Sequence, residues 1–286
     1  ALPGNFLLLR RQALIGDAIS HVVLPGIVFA FLLTGAVSAV PMMLGALAAA
    51  LFAVGLIEAI RRLGRIEAGA AMGVVFTAMF AAGVLLLELS DTSNVHLDVQ
   101  HALYGNLESL IWLDAAAGWP SLTDPEALAG LPPELARMAA VAAAIALLTA
   151  LCWRPLVLST FDEGYARALG LPVTALGLGL MAAAAAAAVA AFDAVGSIIV
   201  IAMFICPPAA ARLMTDSLAR QVAISLIVAA ASAVLGFVLA GWGPLWLGYE
   251  NAVSAAGMIA AVSGLILALA CLFGPRRARA GAPEGA

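Results

Sequence analysis

The sequence predicts an all-α, polytopic integral membrane protein. Of the 286 residues, 64% are hydrophobic and 10% are charged, and the mean hydropathy is +1.10. This composition excludes a soluble globular domain. The apolar residues also fall into runs of about 20, the length that a helix needs to cross about 30 Å of hydrocarbon. We therefore expect a single membrane domain over residues 1–286.

Eight such runs follow one another along the chain. The predicted spans are 13–35, 39–60, 70–89, 137–158, 173–191, 195–214, 219–241 and 252–273. A turn is predicted at 192–194, because fusion of the spans on either side would reverse the orientation of every later segment. Residues 1–9 look like the end of a further hydrophobic span, so we expect the N-terminal span to be truncated.

The arginines predict the orientation. All thirteen basic residues are arginine, and with these spans only Arg137 falls at one membrane face. The opposite face carries Arg10, Arg11, Arg61, Arg62, Arg65, Arg154, Arg167, Arg212, Arg220, Arg276, Arg277 and Arg279. Basic residues accumulate in cytoplasmic segments. The arginine-rich face and the C-terminus are therefore predicted to be cytoplasmic, and the segment 90–134 is predicted to lie outside.

Several chemistries are excluded by what the sequence lacks. Without lysine there is no GxxxxGK[ST] loop, so the chain cannot bind ATP by that device and any ATP-driven work needs a partner subunit. Cys152, Cys206 and Cys271 are far apart in apolar surroundings and read as buried thiols, not as a disulfide framework or a zinc cluster.

The first predicted span carries an ionisable pair. Asp17 and His21 are one helical turn apart and share a face. Pro25 has no N–H to donate to the His21 carbonyl, which frees a backbone oxygen at the same level. A charged group at mid-membrane costs about 2.5–3.5 kcal/mol and usually marks an ion path. The stretch predicts a cation site; the alternative places Asp17 among headgroups beside Arg10 and Arg11, with His21 at a kink.

Two further features lie around the sixth span. Asp193 precedes it with no arginine nearby in sequence, and either passes a cation inward or lies in the outer headgroup layer. Pro207 and Pro208 remove the donors for the carbonyls of Met203 and Phe204, which predicts a bend or a break there. Broken helices at membrane depth line cavities.

The outer segment holds a second group of metal-binding residue types. His96, Asp98 and His101 offer imidazole and carboxylate, which suit zinc, manganese and iron. They are either a first binding site for incoming metal or simply solvated side chains.

A polar stretch between the fourth and fifth spans, 160–170, predicts a short amphipathic helix. Thr160 and Glu163 have capping-box spacing, and Gly170 supplies the stop. Its apolar face either lies on the membrane surface or docks a cytoplasmic partner. The residues assigned to this contact are Phe161, Asp162, Glu163, Tyr165, Arg167, Leu169 and Gly170.

Four motifs in order carry a resemblance that covers nearly the whole chain. They are GDAISHVVLPGIVFAFLL from Gly16, LYGN from Leu103, FDEGYARALGLPV from Phe161 and VGSIIVIAMFICPPAAARLM from Val195. Together they resemble the permease subunit of bacterial ABC importers for manganese, zinc or iron. The stretch from Ser109 to Glu134 is longer than in compact members, and no fixed residue type is expected at Asp193.

The resemblance implies a type II ABC importer-like permease in the bacterial plasma (inner) membrane. Its expected partners are ATP-binding cassette subunits, a periplasmic or lipid-anchored metal-binding protein, membrane lipid and a second permease, identical or sister; nucleic acid is not expected. The 160–170 helix is then expected to couple to the ATPase. Members of the family begin with a further N-terminal span, which supports the expected truncation.

The expected cargo is a divalent transition-metal ion held transiently, with no tightly bound cofactor and no enzymatic activity of the chain itself. Nitrogen and oxygen ligands favour a hard or borderline cation over Cu(I). Two alternatives stay open: a permease for a metal chelate, and a metal-dependent membrane enzyme using Asp17 and His21 as acid and base. No GxSxG or HExxH motif supports the enzyme.

Overall fold

The protein is described by a computed structural model that covers residues 1–35, 39–89, 107, 110, 112, 120, 123–246, 248, 251 and 253–275, without the side chains of residues 39, 126 and 193. Its helices are α1 (Leu2–Leu9), α2 (Ile15–Thr34), α3 (Ala39–Gly64), α4 (Ala68–Leu89), α5 (Pro125–Ala129), α6 (Pro133–Leu151), α7 (Trp153–Phe161), α8 (Glu163–Ala168), α9 (Val173–Met214), α10 (Leu218–Trp246) and α11 (Ala255–Phe273).

The prediction of eight spans is confirmed. Eight helical segments of the described chain are long and apolar enough to cross a membrane, and each overlaps one predicted run. The largest difference lies in the fourth run, predicted as 137–158. There the span is α6, which ends at Leu151, and a separate helix, α7, follows. Pro155 has no N–H for the Leu151 carbonyl, which accounts for the break.

Helix α9 contains two spans joined at Gly196. A straight helix of 42 residues would be about 63 Å long, twice the thickness of the hydrocarbon. Gly196 has φ 79° and ψ 167°, a conformation that residues with a Cβ atom rarely adopt. Gly4 packs against Phe204 and the Arg10 guanidinium against Gly177, although Gly4 and Arg10 are only six residues apart. Both ends of α9 are therefore at the same end of the bundle.

This reversal confirms the predicted turn at 192–194, displaced a few residues toward Gly196. The bend or break predicted from Pro207 and Pro208 is not where the helix is interrupted: the backbone stays helical through both prolines. Proline's fixed φ is itself helical, and transmembrane helices tolerate the loss of a few backbone hydrogen bonds when neighbouring helices cover them.

Helix α9 is at the centre of the bundle and contacts α1, α2, α3, α6, α10 and α11. One face of its alanine run is buried, and Ala184, Ala185 and Ala188 have no exposed surface. Small side chains let helices approach closely where lipid supplies no hydrophobic driving force. At the crossing of α2 and α3 the approach is closer still, because a Cβ atom on Gly26 would overlap the Gly45 carbonyl oxygen.

A buried polar cluster ties α1 to α10. The Asn5 amide donates to Ser225 Oγ at 2.7 Å, and Gln221 Nε2 donates to Asn5 Oδ1 at 3.1 Å. All three side chains are fully buried. Buried polar groups need such partners, so the cluster fixes how α1 sits against α10.

The arginines of several segments meet at one end of the bundle. Arg10, Arg61, Arg62 and Arg167 surround one cavity there, and we call this end of the bundle the arginine end. Arg137 lies at the other end, where its guanidinium contacts Met43 near the start of α3. This distribution agrees with the one predicted from the sequence.

Candidate metal site and partner surface

The Asp17–His21 pair forms as the one-turn spacing predicts. Both residues lie on α2, with His21 Nε2 3.7 Å from Asp17 Oδ1. This separation is longer than a hydrogen bond, so neither atom is fully engaged by the other. The side chain of His21 is 39% exposed, and that of Asp17 is 42% exposed. An imidazole nitrogen and a carboxylate oxygen are thus presented side by side at the surface of the chain.

Helix α4 holds the imidazole from the other side. The His21 ring stacks on Phe76 with centroids 5.5 Å apart and an interplanar angle of 30°. Phe80 meets the same ring edge-on at 5.6 Å and 81°. The helices are close here because Gly83 faces Pro25, where a Cβ atom would lie 2.8 Å from proline Cδ. Phe76 and Phe80 could not be predicted as neighbours of His21, since nothing along the sequence links them to it.

The described residues near Asp17 and His21 do not complete a metal-ligand set. In the portion of the chain that the structure describes, no three His, Cys, Asp or Glu side chains come together in a way that could hold a metal ion. Zinc takes four ligands and harder divalent ions take six or more. A metal ion bound by Asp17 and His21 would therefore need further ligands.

The remaining predicted metal ligands are not tested by the structure. His96, Asp98 and His101 lie outside the described residues. Asp193 is three residues before Gly196 on α9, and its side chain is likewise outside the description. Roles for these four residues stay predictions.

The predicted helix over 160–170 is shorter than expected and begins differently. Helix α8 runs from Glu163 to Ala168, and Asp162 is its N-cap, accepting a hydrogen bond from the Tyr165 N–H at 2.8 Å. The capping box from Thr160 is therefore wrong. Thr160 is in α7, where its hydroxyl donates to the Leu156 carbonyl. Aspartate is at least as good an N-cap as threonine, so Asp162 was the residue in the sequence that indicated the start of the helix.

The apolar residues of this loop face outward. Phe161, Tyr165 and Leu169 are each more than half exposed. Phe161 is the last residue of α7, Tyr165 lies in α8 and Leu169 directly follows α8, so the three residues do not share one helix. Gly170, with φ 75°, ends the segment as predicted. These three side chains form what we call the apolar row of the loop.

Comparison with known proteins gives the same assignment along nearly the whole chain. A family model described as the ABC 3 transport family matches residues 1–114 and 127–274. The manganese transport system membrane protein MntD of Bacillus subtilis is 38% identical, over 96% of this chain and 87% of that protein. The zinc transport system membrane protein TroD of Treponema pallidum is 37% identical, over 96% of this chain and 70% of its own length.

A solved structure shares the fold. PsaBC from Streptococcus pneumoniae, determined in complex with Fab, superimposes with a TM-score of 0.70 and 28% sequence identity. The match covers 97% of this chain and 87% of that one. With the family match and the two relatives, this shows that the chain belongs to the ABC 3 transport family of membrane permeases.

Proposed function

We propose that this chain is the membrane-spanning permease of an ATP-driven importer of divalent transition-metal ions. The observation that carries the proposal is the Asp17–His21 pair, which offers nitrogen and oxygen side by side on a span of an ABC transport family member. The relatives named for manganese and zinc transport support the class of cargo. Imidazole and carboxylate are common ligands of both metals.

The incomplete ligand set supports a paired permease. Two ligands per chain would become four if Asp17 and His21 of a second permease, identical or sister, faced the first pair. The partial exposure of both side chains leaves them open to such a partner. The site should bind the ion only transiently, because a transported ion must be released as well as bound.

The test of the site is metal uptake by the assembled importer in vesicles, driven by ATP. Asp17→Asn and His21→Ala should each abolish uptake while the complex still assembles, because each removes a ligand from the proposed site. Glu67→Gln, which neutralises an exposed carboxylate between α3 and α4, is the matched control and should transport normally. Full uptake by Asp17→Asn would remove the site assignment. Uptake that needs an added chelator would instead indicate a metal chelate as cargo.

We further propose that the apolar row of the loop docks on the ATP-binding subunit. Its three large side chains, each more than half exposed, lie at the end of α7, in α8 and directly after α8, at the arginine end. The positive-inside rule assigns this end to the cytoplasm. ATP hydrolysis belongs to the partner, since this chain has no Walker A loop.

Truncation of the row separates docking from folding. Tyr165→Ala and Leu169→Ala together should reduce the metal imported per ATP hydrolysed, because exposed residues contribute to contacts and little to the permease core. Leu135→Ala, which removes a similarly exposed leucine at the opposite end, should leave the ratio unchanged. A normal ratio in the double variant would refute the docking role.

The same rule gives the proposed orientation. The permease would lie in the bacterial plasma membrane with its C-terminus in the cytoplasm, and residues 90–134 would face an external metal-binding protein. Metal would be delivered on that side and released at the arginine end.

A further inference from the structure

The arginine end contains a cavity that metal transport does not explain. It has a volume of about 110 Å³ and lies between the segment after α1, the end of α3, helix α8 and the start of α9. An adjoining recess shares Arg61, Arg62, Arg167 and Thr174 with it and adds Arg65 and Ile66. Segments far apart in sequence thus place five arginines around one space. They are Arg10, Arg61, Arg62, Arg65 and Arg167.

Positive charge is in excess around this space. The carboxylates lining it are Glu58 and Glu163. Two carboxylates against five guanidinium groups leave three positive charges without a counter-charge among the lining residues. Arginines brought together in this way repel one another unless an anion lies among them.

The hydrogen bonds show how far the glutamates are already used. Glu58 accepts hydrogen bonds from Nε and Nη2 of Arg61, at 2.9 and 2.8 Å, and also from Nε of Arg62. Glu163 accepts from Arg167 at 3.1 Å. Each acid therefore already serves the arginines of its own segment, and Glu58 is shared by two.

Within the described part of the chain, the hydrogen-bond partners of the Arg10 guanidinium are neutral. The guanidinium donates to Ser159 Oγ at 2.7 Å and to Thr160 Oγ1 at 3.1 Å. Burial lowers the pKa of Arg10 from its ordinary value; Glu163 opposes this and Arg61 adds to it. The neighbouring Arg65 is exposed, and the structure shows no hydrogen bond or ion pair for it within the described residues. Arg10 and Arg65 can therefore each donate a hydrogen bond to a further acceptor.

An exposed apolar surface leads to the recess. Leu63, between Arg62 and Arg65 in sequence, is 88% exposed, and Ile66 lines the recess itself. Leu51 and Phe52 continue the exposed face along α3 into the membrane span. A ligand at this place meets cationic groups at one end and an apolar helix face at the other.

We propose that this cavity binds the phosphate group of an anionic phospholipid of the cytoplasmic leaflet, with its acyl chains along the exposed face of α3. Guanidinium groups pair with phosphate oxygens through two parallel hydrogen bonds. Basic pockets at the cytoplasmic ends of transmembrane helices are suited to anionic headgroups. One bound headgroup would link the end of α3 to α8, the helix that carries Tyr165. The inference rests on the orientation proposed above and not on metal transport.

Native mass spectrometry of the complete importer tests this inference. The delipidated complex, with its ATP-binding subunits, is titrated with phosphatidylglycerol or with phosphatidylcholine. We expect phosphatidylglycerol to bind preferentially. Arg65→Gln should weaken that binding about fivefold, and Arg62→Gln with Arg65→Gln about thirtyfold, since each basic residue contributes about a factor of five near the membrane.

The variants separate lipid binding from folding. Arg65→Gln breaks no hydrogen bond that the structure shows, so this variant remains informative if the double variant is unstable. Arg220→Gln, which removes an exposed arginine at the start of α10 and outside the cavity, should bind lipid normally. Equal binding of both lipids, or unchanged binding in Arg65→Gln, would overturn the inference. So would displacement by inorganic phosphate, which indicates a soluble anion, or binding only without the ATP-binding subunits, which indicates an acidic partner side chain.

Discussion

Replacement of Phe76 by leucine tests whether α4 positions the imidazole of His21, the proposed metal ligand. The Phe76 ring stacks on His21 at 5.5 Å, and Phe80 would remain at the ring edge. Aromatic pairs contribute about 0.5–1.5 kcal/mol beyond the area they bury. Losing one pair should lower the population of the liganding rotamer by about twofold to about tenfold. The KM for metal should rise by the same factor.

The assay is ATP-driven uptake of manganese or zinc into vesicles over a range of metal concentrations. We expect the maximal rate to be nearly unchanged, because a saturating metal concentration restores the bound rotamer. Phe52→Leu is the matched control: the same substitution on the exposed face of α3 should not change KM. Phe76→Tyr keeps the ring face and should restore most of the affinity.

Two results would refute this reasoning. Equal KM values for Phe76→Leu and the unmodified protein would show that the stack does not position the imidazole. A fall in maximal rate without a change in KM would show that Phe76 acts on the conformational cycle and not on metal binding.

Three further substitutions test the fold and the loop. Gly45→Val should destabilise the α2–α3 crossing by about 1–3 kcal/mol and lower the melting temperature, whereas Gly55→Val, which faces open space on the same helix, should not. Gly170→Ala forces a Cβ atom into φ 75°, at a cost of about 1–2 kcal/mol, and should reduce the metal imported per ATP in vesicles. Asn5→Ala leaves the buried Gln221 amide without its acceptor and should cost about 1–3 kcal/mol in thermal unfolding; adding Gln221→Leu should recover part of this.

The spans were predictable because lipid imposes a length and a composition on each. The Asp17–His21 contact was also predictable, since it depends only on one helical turn. The turn near Gly196 was placed by the arginine distribution, although its position was a few residues off. Hydropathy does not distinguish residues within an apolar stretch, whereas backbone sterics single out glycine.

The parts that the sequence could not predict depend on contacts between distant segments. Phe76 is 55 residues from His21 along the chain, and only the packing of α4 on α2 brings the rings together. The arginines around the cavity were interpreted for orientation alone, because their convergence depends on four separate segments. The start of α8 was misplaced because two residues that can cap a helix, Thr160 and Asp162, lie within three positions. Asp162 is the N-cap in the structure.

The proposed contribution of two metal ligands by each chain has a genetic consequence if the partner permease is a second copy. A cell that makes equal amounts of unmodified and Asp17→Asn protein would assemble three kinds of dimer by random pairing. Only about a quarter of the transporters would then keep both carboxylates. The altered allele should therefore behave as dominant, and its severity should scale with its expression relative to the normal one.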